Sequence, residues 1–215
     1  GGFKEEVPEA FELAYRGFVV ATVDLRGHGE SDGEPLFGYE YKDIIKVYEY
    51  LKWLPYVDVK KIGVLGVSYG GLVALNTGIA LGENILVTIA ICPITNLTAF
   101  KEENEQSFEF FRSIRDIEEL SGAELKERSP VYRLENASSL PYIFLIHGYN
   151  DTIVSYEQTV MFVNACTANG FADKVNATFV NTSHDIYEDK SSIFLLYDTI
   201  GSYFNMSFDL SVPYY

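Results

Sequence analysis

One hexapeptide, Gly66-Val67-Ser68-Tyr69-Gly70-Gly71, has the composition and spacing to present an activated nucleophile. Ahead of it, Lys61-Ile62-Gly63-Val64-Leu65-Gly66 reads as a buried strand; behind it, the small apolar residues of Gly71 to Leu81 read as a helix. A serine on a tight strand-to-helix turn projects above the sheet, and flanking glycines remove the Cβ clashes that would forbid the turn. The N-terminus of the following helix favours negative charge developing on an oxyanion. The plainer alternative is a glycine-rich turn with an incidental serine.

A serine needs a base, and the base needs an orienting acid. Three histidines compete: His28 after the first expected strand, His147 at the end of the fourth, and His184 after the last. Loops at strand C-termini are where sheet enzymes carry their chemistry, so all three qualify by position. The chain order serine, acid, histidine selects His184, with Asp151 in the turn after the fourth strand as its carboxylate. Asp173 follows a helix rather than a strand, and Asp185 adjoins His184, so both are weaker partners. His28 then reads as a loop hydrogen-bonder, and His147 as a buried histidine bracing the Asp151 loop. The acidic clusters Glu5-Glu6, Glu102-Glu103-Glu105 and Glu118-Glu119 have no spaced His or Cys beside them, so they read as solvated faces, and neither metal nor cofactor is expected.

These residues must be positioned by a scaffold, and the pattern predicts one. Apolar runs at Gly17–Asp24, Lys61–Gly66, Ile85–Ile91, Tyr142–Ile146 and Val175–Val180 read as strands. Helical spacing covers Val7–Arg16, Tyr41–Leu54, Gly71–Leu81, Ser155–Asn169 and Ser191–Phe204. Strands alternating with helices predict an α/β fold with a doubly wound, mostly parallel sheet. The exception is residues 98–127, acidic and Phe-rich with two expected helices and no strand: a helical, cap-like insertion between the third and fourth expected strands. Its Phe108, Phe110 and Phe111 either line an acyl pocket or pack the insertion on the sheet.

Of 215 residues, 47% are apolar and 22% charged, an ordinary globular composition that excludes extensive disorder. No apolar run reaches 18 residues, so no membrane span is expected. A formal net charge of −15 repels phosphate backbones and argues against nucleic acid as a partner. Cys92 and Cys166 lie in apolar stretches and read as buried free thiols. Six Asn-x-Ser/Thr sequons occur, at Asn96, Asn136, Asn150, Asn176, Asn181 and Asn205, against about 1.3 expected from composition. They would suit an exported glycoprotein, but a glycan on Asn150 would block the loop of Asp151, and no leader is visible, so a cytoplasmic location is the expectation.

Four segments carry a resemblance: Asp24-Leu25-Arg26-Gly27-His28-Gly29-Glu30-Ser31, the Ser68 hexapeptide, Ser129-Pro130-Val131-Tyr132, and His147-Gly148-Tyr149-Asn150-Asp151-Thr152-Ile153-Val154. In order and spacing they resemble the α/β-hydrolase fold and, within it, the catalytic domain of the prolyl oligopeptidase family of serine peptidases and related esterases. The resemblance implies Ser68 as nucleophile, Asp151 as acid, His184 as base, and the Tyr69 backbone N–H as one oxyanion donor. It also implies strands ahead of Gly17, so residues 1–215 read as one domain lacking its first strands. The second oxyanion donor belongs to a loop that Gly1-Gly2-Phe3 resembles, which makes Gly2 or Phe3 the candidate. Gly-Val-Ser stands where those peptidases commonly have Gly-Gly-Ser, leaving esterases open.

The expected function is a serine hydrolase that cleaves carboxylic esters or short peptides through an acyl-enzyme, needs no cofactor, and has a homodimer as a possible assembly. The alternative is a non-catalytic fragment of the same fold that acts by binding.

Overall fold

The computed structural model describes residues 8–113 and 119–204. Its centre is a parallel sheet of four strands, β1 (Gly63–Val67), β2 (Val87–Ile91), β3 (Tyr142–Gly148) and β4 (Val175–Val180), hydrogen-bonded in that order. The register pairs Gly63 with Val87, Val87 with Tyr142, and Ile143 with Val175. β2 is buried along its whole length, and β3 from Ile143 onward. Their near-continuous apolar sequences follow from burial on both faces.

Alternate residues feed two helical layers. Val87, Ile89, Ile91, Phe144 and Ile146 pack with Leu196, Tyr197 and Ile200 of α9 (Lys190–Phe204). Ala90, Ile143 and Leu145 pack with Leu75 and Ile79 of α3 (Tyr69–Leu81) and Phe162 and Cys166 of α8 (Glu157–Ala168). Helix α1 (Pro8–Tyr15) adds Leu13 to the first layer. Helix α2 (Tyr41–Leu51) packs its buried Tyr48 with Ile62, Leu81 and Ile85. Both cysteines are free and buried.

One expected strand is corrected. Gly17–Asp24 carries no strand assignment, and no described strand pairs with it. An apolar, β-branched run becomes a strand only when a neighbour takes its N–H and C=O groups, and among the described residues β1 is bonded to β2 alone. The run leads instead into a tight loop in which Asp24 accepts the Glu30 N–H, Ser31 Oγ donates to the Asp24 carbonyl, and Arg26 forms an ion pair with Asp43 of α2.

Between β2 and β3 the chain forms α4 (Leu97–Glu103), α5 (Glu105–Ser113), α6 (Gly122–Arg128) and the short α7 (Pro130–Arg133). Where residues 98–127 predicted two helices, Asn104 divides the first: its backbone leaves the helical region, and its Oδ1 accepts Ser107 N–H to start the next. Asn96 caps α4, and a Ser121–Glu124 capping box opens α6. Ser129 is buried, donating to the Leu125 carbonyl and accepting Leu97 N–H, which ties α4 to α6. Among the described residues no helix is long and apolar enough to cross a membrane. Gly1, Gly2, Phe3 and the aromatic tail 209–215 lie outside the described residues.

Candidate active site

Ser68 occupies the turn between β1 and α3 with φ 57° and ψ −117°. A side-chain-bearing residue holds this conformation only where its surroundings over-determine it. Here its N–H donates to Ile91 O at 2.7 Å, and its carbonyl accepts from Gly71 and Leu72 of the first turn of α3. The turn also demands glycine at 66, where a Cβ would stand 2.0 Å from the Gly70 carbonyl oxygen. Ser68 is 7% exposed, and its Oγ has no hydrogen-bond partner among the described residues.

The second group of residues is built by the β3–β4 pair. Gly148 registers with Val180, and the pairing continues into the loops through Tyr149 N–H to Val180 O and Asn150 N–H to Thr182 O. Gly148 permits this approach, since a Cβ there would lie 2.2 Å from Ser183 O. Asp151 and His184, far apart in sequence, are thereby brought into contact: His184 Nδ1 donates to Asp151 Oδ2 at 2.6 Å. With Nδ1 as the donor, Nε2 keeps its lone pair, the form a general base requires.

Asp151 is held from every side. Its Oδ1 accepts Ile153 and Val154 N–H, both at 2.9 Å. His147 Nε2 lies 3.3 Å from Oδ2 and 2.9 Å from Val154 O, and His147 Nδ1 meets Thr159 Oγ1 at 2.8 Å. Since a carbonyl only accepts, Nε2 carries the proton and Nδ1 accepts from threonine. Burial alone would raise the Asp151 pKa. The hydrogen bonds from His147 and His184, the attraction to His184 and the Val154 N–H outweigh it and hold the carboxyl well below the ordinary range.

A depressed folded-state pKa contributes stability above the unfolded value and loses it as pH falls. The difference in unfolding free energy between wild type and Asp151→Asn is therefore expected to shrink as pH falls below about 4. Urea titrations of both proteins between about pH 5 and pH 2 would measure it; a difference that grew as pH fell below about 4 would contradict the sign.

The other sequence candidates fall elsewhere. His28 Nδ1 bonds the Arg26 carbonyl at 2.9 Å within its own loop. Asp173 is exposed on a 3-10 turn, and Asp185 is used as a cap, accepting Tyr187 N–H at 2.9 Å. Phe108 is 1% exposed and packs against Phe37 and Phe100 in the core. Phe111 is partly buried, its ring stacked on Tyr69 at a centroid distance of 6.4 Å.

Sequence reasoning passed over Asn104, whose Nδ2 donates to the Thr152 and Ile153 carbonyls and so ties the α4–α5 corner to the Asp151 loop. An asparagine between two acidic helices signals a cap, and nothing local signals the second bond. Cys92, His147 and Asp151 offer ligand atoms within 4.8 Å of one another. However, burial pushes the Cys92 thiol up to about 12, and the His147 nitrogens already have hydrogen-bond partners, so the cluster serves as a hydrogen-bonding shell around the carboxylate.

A parallel sheet covered by helices, with a strained serine after one strand and a His–Asp pair after two others, defines an α/β-hydrolase. Solved structures agree on the fold: a puromycin-hydrolyzing peptidase of Mycobacterium tuberculosis superposes with a TM-score of 0.64 at 22% identity, covering 78% of this chain and 25% of that one. An acylaminoacyl peptidase in complex with Z-Gly-Gly-Phe-chloromethyl ketone gives 0.66 at 20% identity, covering 82% and 30%. A family model described as the prolyl oligopeptidase family matches residues 7–211, and the chain belongs to that family. Among curated relatives, a probable dipeptidyl-aminopeptidase B of Aspergillus oryzae is 24% identical over 205 residues, 90% of this chain. The chain spans 21% of that relative's length.

Proposed function

We propose that this chain carries the catalytic centre of a serine peptidase acting on short peptides, with carboxylic esters as competent substrates. Ser68 Oγ attacks the substrate carbonyl while His184 Nε2 takes its proton; the oxyanion is received by backbone N–H groups, that of Tyr69 among them. His184 then returns the proton to the leaving amine or alcohol, and water, deprotonated by the same nitrogen, releases the acyl group. Asp151 orients the imidazole and steadies its charged form. The observation that carries this reading is the 2.6 Å His184–Asp151 bond on loops at the same end of the sheet as the strained Ser68 turn. Ser68 Oγ is not yet bonded to His184, and in substrate-free enzymes such bonds commonly tighten only in the complex. Family membership and relatives named as dipeptidyl aminopeptidases support peptides as the substrate class. A fluorophosphonate probe should label the wild-type protein at Ser68 and leave Ser68→Ala unlabelled; labelling that persists in the variant would refute the assignment.

Phe111, beside the Tyr69 ring, is proposed as a wall of the acyl pocket, and Phe108 as packing. Phe111→Ala should then change the kcat/KM ratio between short and long acyl esters, by several-fold per carbon, since a methylene in an apolar pocket is worth about 1 kcal/mol or more. Phe108→Ala should lower stability and leave that ratio alone. An unchanged chain-length profile in Phe111→Ala would return the residue to a packing role.

A further inference from the structure

Behind the Ser68 turn lies a carboxylate that the sequence does not advertise. Glu40, immediately before α2, is 0% exposed. Its Oε1 accepts Leu36 N–H at 2.8 Å and Phe37 N–H at 2.9 Å, and its Oε2 accepts Gly38 N–H at 2.7 Å. The fourth donor is the Tyr69 hydroxyl, 2.8 Å from Oε2, which also accepts from Gly38 N–H at 2.9 Å. Successive N–H groups converging on one anion form a nest, and charge-assisted bonds of this kind can offset the desolvation of a buried carboxylate. The loop reaches this shape through positive φ at Phe37 (45°) and Gly38 (106°), a conformation strained for phenylalanine. Loop and carboxylate therefore hold each other in place.

The consequence falls on Tyr69. Its ring is 1% exposed, tilted against Phe37 and stacked on Phe111, while its hydroxyl is engaged by Glu40 and Gly38. The side chain is thus held on its faces and at its tip. Its own backbone N–H is the one that follows Ser68.

We propose that Glu40 is a positioning residue for oxyanion stabilisation: through the Tyr69 hydroxyl it fixes the orientation of the Ser68–Tyr69 peptide, whose N–H receives the developing charge. This rests on the reading of Ser68 as nucleophile. Donors aimed in advance stabilise the tetrahedral species more than the ground state, so loosening one should lower kcat rather than raise KM.

The test compares Glu40→Gln, Tyr69→Phe and Ser68→Ala in the full-length protein, using p-nitrophenyl butyrate turnover and inhibition by phenylboronic acid, which forms a tetrahedral adduct on a reactive serine. Expected for Tyr69→Phe and Glu40→Gln is a fall in kcat of about 10- to 100-fold with KM within about twofold, and an equal loss of boronate affinity. A purely structural clamp would lower the melting temperature and leave kcat per fluorophosphonate-titrated site and boronate affinity unchanged, which would overturn the proposal. Should Glu40→Gln fail to fold, Tyr69→Phe, which removes a single oxygen, decides alone. Activity surviving in Ser68→Ala would instead refute the nucleophile assignment; an inactive Ser68→Ala beside a Tyr69→Phe of wild-type boronate affinity would refute only the positioning role of Glu40.

Discussion

Replacing Ser68 with alanine is expected to abolish p-nitrophenyl ester turnover, lowering kcat by about 10⁴-fold or more, as removal of a triad member does generally. The melting temperature should barely move. Ser68 Oγ is buried without a hydrogen-bond partner among the described residues, so its removal breaks no bond and discards an unsatisfied polar atom. Alanine keeps a Cβ, and the strained backbone at φ 57° is no worse for it than for serine. A large rate loss with an intact fold therefore separates chemistry from stability. Residual turnover above a few per cent, with contaminating esterase excluded by active-site titration, would mean that Ser68 is not acylated.

The second large effect concerns the proposed base, His184, and its proposed acid, Asp151. His184→Ala should match the Ser68→Ala loss, and the double variant should be no slower than either single one, because residues acting as one unit do not contribute additively. Asp151→Asn should also be severely impaired. An asparagine can present its NH₂ where Asp151 Oδ2 accepts His184 Nδ1–H at 2.6 Å, which would favour the wrong imidazole tautomer. His28→Ala and His147→Ala serve as controls expected to keep most turnover. For His147 the loss should appear in stability, since its fully buried ring fills space and bonds Val154 O and Thr159. Losses that multiply in the double variant, or an inactive His28→Ala, would show that the base has been misassigned.

The Ser68 turn was legible because its requirements are local: a strand, a serine flanked by glycines, and a helix, all within one short stretch. Alternating apolar runs and helical spacing likewise place β1 to β4 and the main helices within a few residues of where they form. Gly17–Asp24 shows the limit of such patterns. Its Phe18-Val19-Val20-Ala21-Thr22-Val23 is apolar and β-branched like β2, but hydrogen-bonded pairing is a property of two segments, and no composition reports the second. Phe108 and Phe111 differ in the same way, one sealed in the core and one against Tyr69, although they stand only three positions apart.

Residue types and chain order were enough to nominate Ser68, Asp151 and His184, since the chemistry of acyl transfer restricts which side chains can act and the strand-end loops restrict where. Contact between Asp151 and His184 depended on the β3–β4 register and on Gly148 admitting the 182–184 loop, neither of which is written in either loop. Glu40 was beyond reach altogether. A glutamate beside a tyrosine-rich helix is by default a solvated residue. Only the folded chain could bring three N–H groups from one side and the Tyr69 hydroxyl from the other onto a single carboxylate, because burial and hydrogen-bond convergence arise between segments rather than within them.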